Sequence, residues 1–421
     1  MGLAISMLCA VCAAGFDARA EDSHAPQAIE IRIHPSTVYA GIRYRVSATS
    51  GESILDAPDA SIAWKSASGA FLFDDLPEVE WRAPRTPGRA TLEVSVTRGG
   101  VETRAALEVM VRRPSTEGMA WIPAGTFLRG DIRGTQDVTE GKTLQNSSDE
   151  PAHPVYLDGY WMDRHFVTNS LYAAFLDEML KQGMARVEPI AVMGEFEGSW
   201  VPFYYFQSFE KLIRGYHDHR NARKPEFLHV ISHDEEGFHV EAGRADYPAV
   251  DVSWFGAAAY ARFHGKDLPT EAQWEKAARG VDGRRYPWGN QVPTPYHANV
   301  NFHYGMELTP VGSFSPLGDS PYGVADMAAS CFEWSRDWYN PTYFEDYLAP
   351  DLPLGNPTGP FWGRAHAIRG SPHEVSFPQA PGEHPEPVSF RYSWRFEFGL
   401  GDTFGNRSTG FRTVLEDADG P

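Results

Sequence analysis

From Tyr247 to Tyr339 the chain has a texture that few folds can absorb: two short amphipathic segments, then a long aperiodic tract dense in Trp, Gly, Pro and Asn. The first segment predicts a helix that begins after Ser253 and stops at Gly265, a residue suited to a left-handed cap. The second predicts a helix that begins at Thr270, where Gln273 three residues on completes a capping box, with Trp274, Ala277 and Ala278 on one side. The tract that follows includes YPWGN at 286–290 and GVADMAASCFEWSRDWY at 323–339. It is too apolar for disorder and keeps neither the period of a strand nor that of a helix. Such a stretch has to fold around its own aromatic side chains, which points to an α+β chain with little regular secondary structure.

With 421 residues there is room for two or three domains, and at 22% charged and 42% hydrophobic the composition is that of a globular protein in water. The net charge of −19 works against nucleic acid and anionic membranes as partners, since both would repel it. Residues 1–20 read as a signal peptide: Gly2 to Ala14 is apolar and too short to span a bilayer, and Ala18-Arg19-Ala20 has the form of a signal-peptidase site. No later segment is apolar for the ~18 or more residues a spanning helix needs, so the mature chain is expected to be periplasmic or secreted, without membrane insertion. Cleavage at Ala20 removes Cys9 and Cys12, so no internal disulfide is expected. The remaining Cys331 sits in the aromatic tract and reads as a buried small residue rather than a reactive thiol.

Residues 27–113 read as an all-β, immunoglobulin-like sandwich. Alternating stretches such as Ile29-Glu30-Ile31-Arg32-Ile33 are separated by Gly, Pro and Ser turns, Gly99-Gly100 marks a hairpin, and Trp64 and Trp81 are spaced as core residues. No cluster of ionisable residues in it suits chemistry, so it is expected to be a spacer or docking module. Residues 114–118 form a linker. The larger unit, 119–417, opens with a hairpin segment at 121–128, and a strand pair around 155–162 leads to a helix at about 169–182. On that helix Leu171, Phe175, Leu176, Met179 and Leu180 are placed on one face. An insertion at about 186–245 holds an aromatic run from Trp200 to Phe206 and the histidines His217, His219, His229, His233 and His239. The aromatic content predicts a lid or wall over a pocket. The histidines fix no third ligand by spacing and read as loop or hairpin residues rather than a metal site.

Several motifs stand in a telling order. They are Trp121-Ile122-Pro123-Ala124-Gly125-Thr126-Phe127, Val167-Thr168-Asn169-x-x-Tyr172, Pro248-x-x-x-Val252-Ser253-Trp254 and Leu268-Pro269-Thr270-Glu271-Ala272-x-Trp274-Glu275. After them come Tyr286-Pro287-Trp288-Gly289, Glu333-Trp334-x-x-Asp337-Trp338-Tyr339, Ile368-Arg369-Gly370-Ser371 and Gly410-Phe411-Arg412. Together they resemble the formylglycine-generating-enzyme, or sulfatase-modifying-factor, superfamily. The resemblance implies an irregular, C-type-lectin-like fold over residues 119–417.

It also implies where the chemistry lies. Formylglycine-generating enzymes oxidise a substrate cysteine with oxygen, using two cysteines that bind copper, because a soft thiolate pair holds Cu(I) at low coordination number. Those cysteines would fall between Gly370 and Arg391, where this chain has none. The ergothioneine-pathway relatives hold iron partly through a helical N-terminal domain, and here the N-terminal unit is predicted all-β. The exported pyoverdine-maturation relatives lack the cysteine pair and match these features better. The equivalent crevice offers His373 and Glu374 as a base, with Arg391 and Arg395 to orient an anionic or peptide-like substrate. These arginines, with Arg369 and Arg412, equally suit pairing with carbonyls and acids that hold an irregular fold together.

The resemblance places a structural calcium at 326–333, with side-chain oxygens from Asp326 and Glu333 and carbonyls from Ala329 and Cys331. The residues do not name a redox metal. Three functions follow. One is an exported oxidative or modifying enzyme acting on a peptide, a protein side chain or a peptide-derived metabolite. The second is a non-catalytic binding module, and the third an accessory protein that docks on another exported enzyme through the sandwich.

Overall fold

The computed structural model describes residues 29–50, 59–130, 152–206, 230–291, 293–299, 308–328, 330–343, 354–370, 396–397, 402–403 and 408–416. Eight strands make up the N-terminal unit: β1 (Ile29–His34), β2 (Val38–Tyr39), β3 (Arg43–Ser50), β4 (Ser61–Ser66), β5 (Ala70–Phe71), β6 (Glu78–Arg82), β7 (Gly88–Arg98) and β8 (Val101–Arg112). They form two four-stranded sheets, β1-β3-β6-β5 and β2-β8-β7-β4. The alternation seen in the sequence turns Val46, Trp81, Leu92, Val94 and Trp64 inward, so both sheets bury one shared core. Gly99 and Gly100, both at positive φ, close the β7–β8 hairpin, in which Arg98 pairs with Val101.

The next four strands depart from expectation. They are β9 (Met119–Ile122), β10 (Gly125–Arg129), β11 (His153–Leu157) and β12 (Tyr160–Asp163). The hairpin expected at 121–128 does not form, and the two strands expected around 155–162 do form but do not pair with each other. Instead β9 pairs with β12 and β10 with β11, in two different sheets. The corner at Pro123 to Gly125 is the reason: Pro123 offers no N–H to a hairpin ladder, and Gly125 turns at φ 144°. Each sheet gains a third strand from far along the chain, β19 (Leu354–Gly355) beside β11 and β23 (Val414–Leu415) beside β12.

Helix α1 (Asn169–Lys181) is capped by Thr168, whose hydroxyl accepts from the Leu171 N–H at 3.4 Å. Its core face is Tyr172, Phe175, Leu176 and Met179, while Leu171 is 53% exposed. Sequence reasoning placed Leu171 on the inner face, but the 3.6-residue period favours Tyr172, whose hydroxyl donates to the Phe203 carbonyl. The insertion supplies β13 (Ala185–Val187), β14 (Ala191–Phe196), β15 (Ser199–Tyr205) and the hairpin β16 (Ile231–Asp234) to β17 (Gly237–Val240). Here the expected lid is corrected for the described part: Val192, Phe196, Phe203, Tyr204 and Ile231 are buried in the core that α1 covers. Of its histidines, His233 and His239 lie on this hairpin, and His217, His219 and His229 lie outside the described residues.

Helix α2 (Trp254–Phe263) begins at the Ser253 cap and ends before Gly265, as the sequence predicts. Gly265 is required twice over, since its φ is 72° and a Cβ there would strike the Tyr39 ring of the N-terminal unit at 2.3 Å. Helix α3 (Glu271–Arg279) carries the predicted capping box between Thr270 and Gln273. It lies against the sheet that bears the candidate site, ordered β21 (Phe396–Glu397), β20 (His366–Gly370), β18 (Phe332–Trp338), β22 (Thr409–Gly410). In that sheet Glu333 stands opposite Arg369, and Trp338 opposite His366. No helix among the described residues is long and apolar enough to cross a membrane.

Candidate functional site

Three buried groups converge on β18 and β20. The first is ionic. Helical spacing puts Glu271 and Glu275 on one face of α3, and both carboxylates are fully buried. Glu275 accepts from the Gly130 N–H at 2.8 Å, from Arg279 at 2.9 Å and from Arg369 at 2.9 Å. Arg129 and Arg369 each reach Glu271 at 3.4 Å. Burial pushes the Glu275 carboxyl up, but Arg369, Arg279 and Arg129 outweigh it and hold the group below its usual range. Asp337 Oδ2 accepts from the Glu271 N–H at 3.0 Å, which satisfies the first turn of α3 with a carboxylate.

The second group surrounds the segment expected to hold calcium. Glu333 takes a two-pronged bond from Arg412, at 2.5 and 3.1 Å. Asp326 sits at φ 58° and accepts from the Gly312 N–H through Oδ2, while its buried Oδ1 has no hydrogen-bond partner. Burial raises the Asp326 carboxyl to about 6. Cys331 is 2% exposed, and burial followed by Glu333 pushes its thiol far up, as expected of a packed, unreactive cysteine. The donor chemistry fits a hard cation. Asp326 has one oxygen unclaimed, and each Glu333 oxygen keeps a lone pair beyond its bond to Arg412. Ala329 lies outside the described residues.

The third group was not foreseen. His366, at the start of β20, lies flat between two indoles, with Trp254 at 3.6 Å and 10° and Trp338 at 3.9 Å and 25°. Asp402 grips it twice, Oδ1 accepting from the backbone N–H at 2.6 Å and Oδ2 pairing with ring Nδ1 at 2.8 Å. Asp402 is itself held, because its carbonyl accepts the Trp254 N–H at the start of α2. Trp254 Nε1 donates to the Ser335 carbonyl, locking the indole. Nothing in the linear sequence pairs His366 with a residue 36 positions on. Its place just upstream of Arg369-Gly370 was the available signal.

Of the residues read from the sequence as catalytic, His373, Glu374, Arg391 and Arg395 all lie outside the described residues. Arg369 and Arg412 do hold the fold together, through Glu271, Glu275 and Glu333 and, for Arg412, the carbonyls of Asp163, Arg164 and Ala325. A separate cleft of roughly 1410 Å³ opens between the N-terminal unit and the rest. Its charges are largely paired, Arg45 with Glu78 and Glu195 and Arg262 with Glu197, and none of the three groups above lines it except through Arg336, the neighbour of Asp337.

Comparison with known proteins gives this geometry a setting. Residues 105–417 match the family described as sulfatase-modifying factor enzyme 1-like domain. A formylglycine-generating enzyme of Streptomyces coelicolor is 32% identical over 288 residues, 62% of this chain and 79% of that protein. A hercynine oxygenase of Mycolicibacterium smegmatis is 30% identical over 253 residues, 56% of this chain and 51% of the oxygenase. A serine/threonine-protein kinase of Chlamydia trachomatis is 33% identical over 249 residues, 59% of this chain, and the match spans only 32% of the kinase.

Proposed function

The chain belongs to the sulfatase-modifying factor enzyme 1-like family, and from that premise we propose that it is an exported modifying enzyme of oxidative type that does not use the copper–thiolate route. Its substrate is a peptide, a protein side chain or a peptide-derived metabolite. The observation that carries this reading is Cys331, which is buried with its thiol pushed up, while the segment from Gly370 to Arg391 contains no cysteine. A Cu(I) site of the family's kind needs two thiolates that deprotonate readily. The apolar leader before Ala20 supports export. Purified protein supplied with Cu(I), oxygen and a sulfatase-type cysteine peptide is expected to form no aldehyde by mass spectrometry. Aldehyde formed above a metal-free blank would overturn the reading. Phe361 and Trp362, 99% and 75% exposed, favour as the second reading a binding module that carries out no chemistry.

Calcium at Asp326, Glu333 and the carbonyls of Cys331 and Ala329 belongs to the same proposal. Its support is the unclaimed, buried oxygen of Asp326. Free calcium at a hundred times its dissociation constant is expected to stabilise the fold by about 3 kcal/mol. Calorimetry should show a higher melting temperature with calcium, its loss on chelation, and no calcium response in Asp326→Asn. A melting temperature indifferent to chelation would remove the ion from the proposal.

A further inference from the structure

His366 has the arrangement of a base waiting for a donor. A carboxylate can only accept, so with Nδ1 engaged by Asp402 the neutral form of the ring is the tautomer with its proton on Nδ1 and a lone pair on Nε2. Trp254 and Trp338 stack at 3.6 and 3.9 Å, so they must occupy opposite faces of the ring, and only its edge remains for contact. Asp402 claims the Nδ1 side of that edge. His366 is only 5% exposed, yet Nε2 takes part in none of its hydrogen bonds, which are those of the backbone N–H and Nδ1 with Asp402.

The surroundings say what would approach. Gly363 lies against Trp338 and Tyr339, where a Cβ would come within 2.9 Å of both. The loop anchored there carries Phe361 and Trp362, two exposed aromatic side chains. Planar amide or aromatic groups pack on such surfaces.

We propose that His366 is the proton acceptor of the modifying site and Asp402 its positioning residue, with Nε2 receiving the proton of a hydroxyl, thiol or ammonium group on a peptide substrate that lies along the Phe361–Trp362 loop. The donor atom keeps the electron pair of the broken bond and becomes the nucleophile. The proton stays on Nε2, and the imidazolium is balanced by the Asp402 carboxylate and the faces of two indoles. This inference rests on the enzymatic reading above, but its test requires no turnover and can fail or succeed separately.

The probe is diethyl pyrocarbonate, which is attacked by an unprotonated imidazole nitrogen, with peptide mapping of the full chain. His153, 6% exposed, serves as a histidine of matched burial. His366 is expected to be carbethoxylated about tenfold faster than His153, and Asp402→Asn, which frees the tautomer, to slow it by about tenfold. In ¹⁵N spectra of histidine-labelled protein, the His366 Nδ1 signal should be of the protonated type in the native chain and mixed in Asp402→Asn. A blocked serine, cysteine or lysine amide at millimolar concentration should slow the labelling. Native protein alone decides the first result, so a misfolded variant cannot mask it. Labelling of His366 no faster than His153, or a native Nδ1 without its proton, overturns the dyad. Protection by none of the amides overturns the peptide donor.

Discussion

Glu275→Ala is expected to remove about 4 kcal/mol of stability, enough to unfold most of a marginally stable chain. The reason is what it leaves behind. Glu275 is fully buried and accepts from Gly130, Arg279 and Arg369 at 2.8–2.9 Å. Without it, Arg279 keeps its bond to the Gly130 carbonyl and Arg369 its longer contact with Glu271, but one negative charge among three buried guanidiniums is gone. Removing one partner of a buried pair costs more than the pair contributes, since the orphaned charge has no water to fall back on. Urea unfolding followed by tryptophan fluorescence would measure it, with Glu275→Gln intermediate because it keeps a shape and an acceptor but not the charge. The exposed pair of Glu102 and Arg104 is the control, and Glu102→Ala should leave the midpoint in place. A midpoint for Glu275→Ala equal to that control would mean the network is not what joins α3 to the sheet.

The same network shows what could be read from the sequence and what could not. Local signals were fully legible: the Ser253 and Thr270 caps, the Gly265 stop and the paired glycines at 99 and 100 each act within a few residues. Trp64 and Trp81 were legible as core because strand alternation fixes a face. Pairing was not. The corner at Pro123 to Gly125 sends β9 and β10 to different sheets, and β19 and β23 complete those sheets from about 200 and 250 residues away, which no window of sequence encodes. In the candidate site, Asp326 and Glu333 could be reached through a resemblance to short motifs. His366 and Asp402 could not, because their meeting depends on Trp254 of α2 and Trp338 of β18 closing on the ring from two separate elements. The aromatic run of the insertion misled for a related reason: whether Phe203 and Tyr204 form a lid or a core depends on the helix that covers them.

Asp337→Asn is expected to stabilise the protein at neutral pH, because the buried carboxyl is raised above its ordinary value and ionises there at a cost. Burial is the main cause of that shift, and the neighbouring Glu271 carboxylate adds to it, while Arg129 and Arg336 only partly compensate. A carboxyl whose folded value lies above its unfolded one holds its proton more tightly in the native state. Its contribution is therefore fully present below about pH 4 and is lost as pH rises through about 6. Above that range the native state carries an ionised, buried oxygen, Oδ1, that no hydrogen bond satisfies. Asparagine can turn its carbonyl to the Glu271 N–H and present its NH₂ where Oδ1 stood, so the helix keeps its acceptor and the like charge disappears. Melting temperatures of the two proteins should lie close together at pH 4 and separate progressively to pH 7.5, with the variant higher. A gap that is constant across that range would show that Asp337 ionises at no cost, and a variant less stable at pH 7.5 would show that its charge is needed by Arg129 and Arg336. Gly359 makes the first outcome consequential for the site, because a Cβ there would meet the Asp337 side chain at 2.6 Å. The backbone of the Phe361–Trp362 loop thus rests on this side chain.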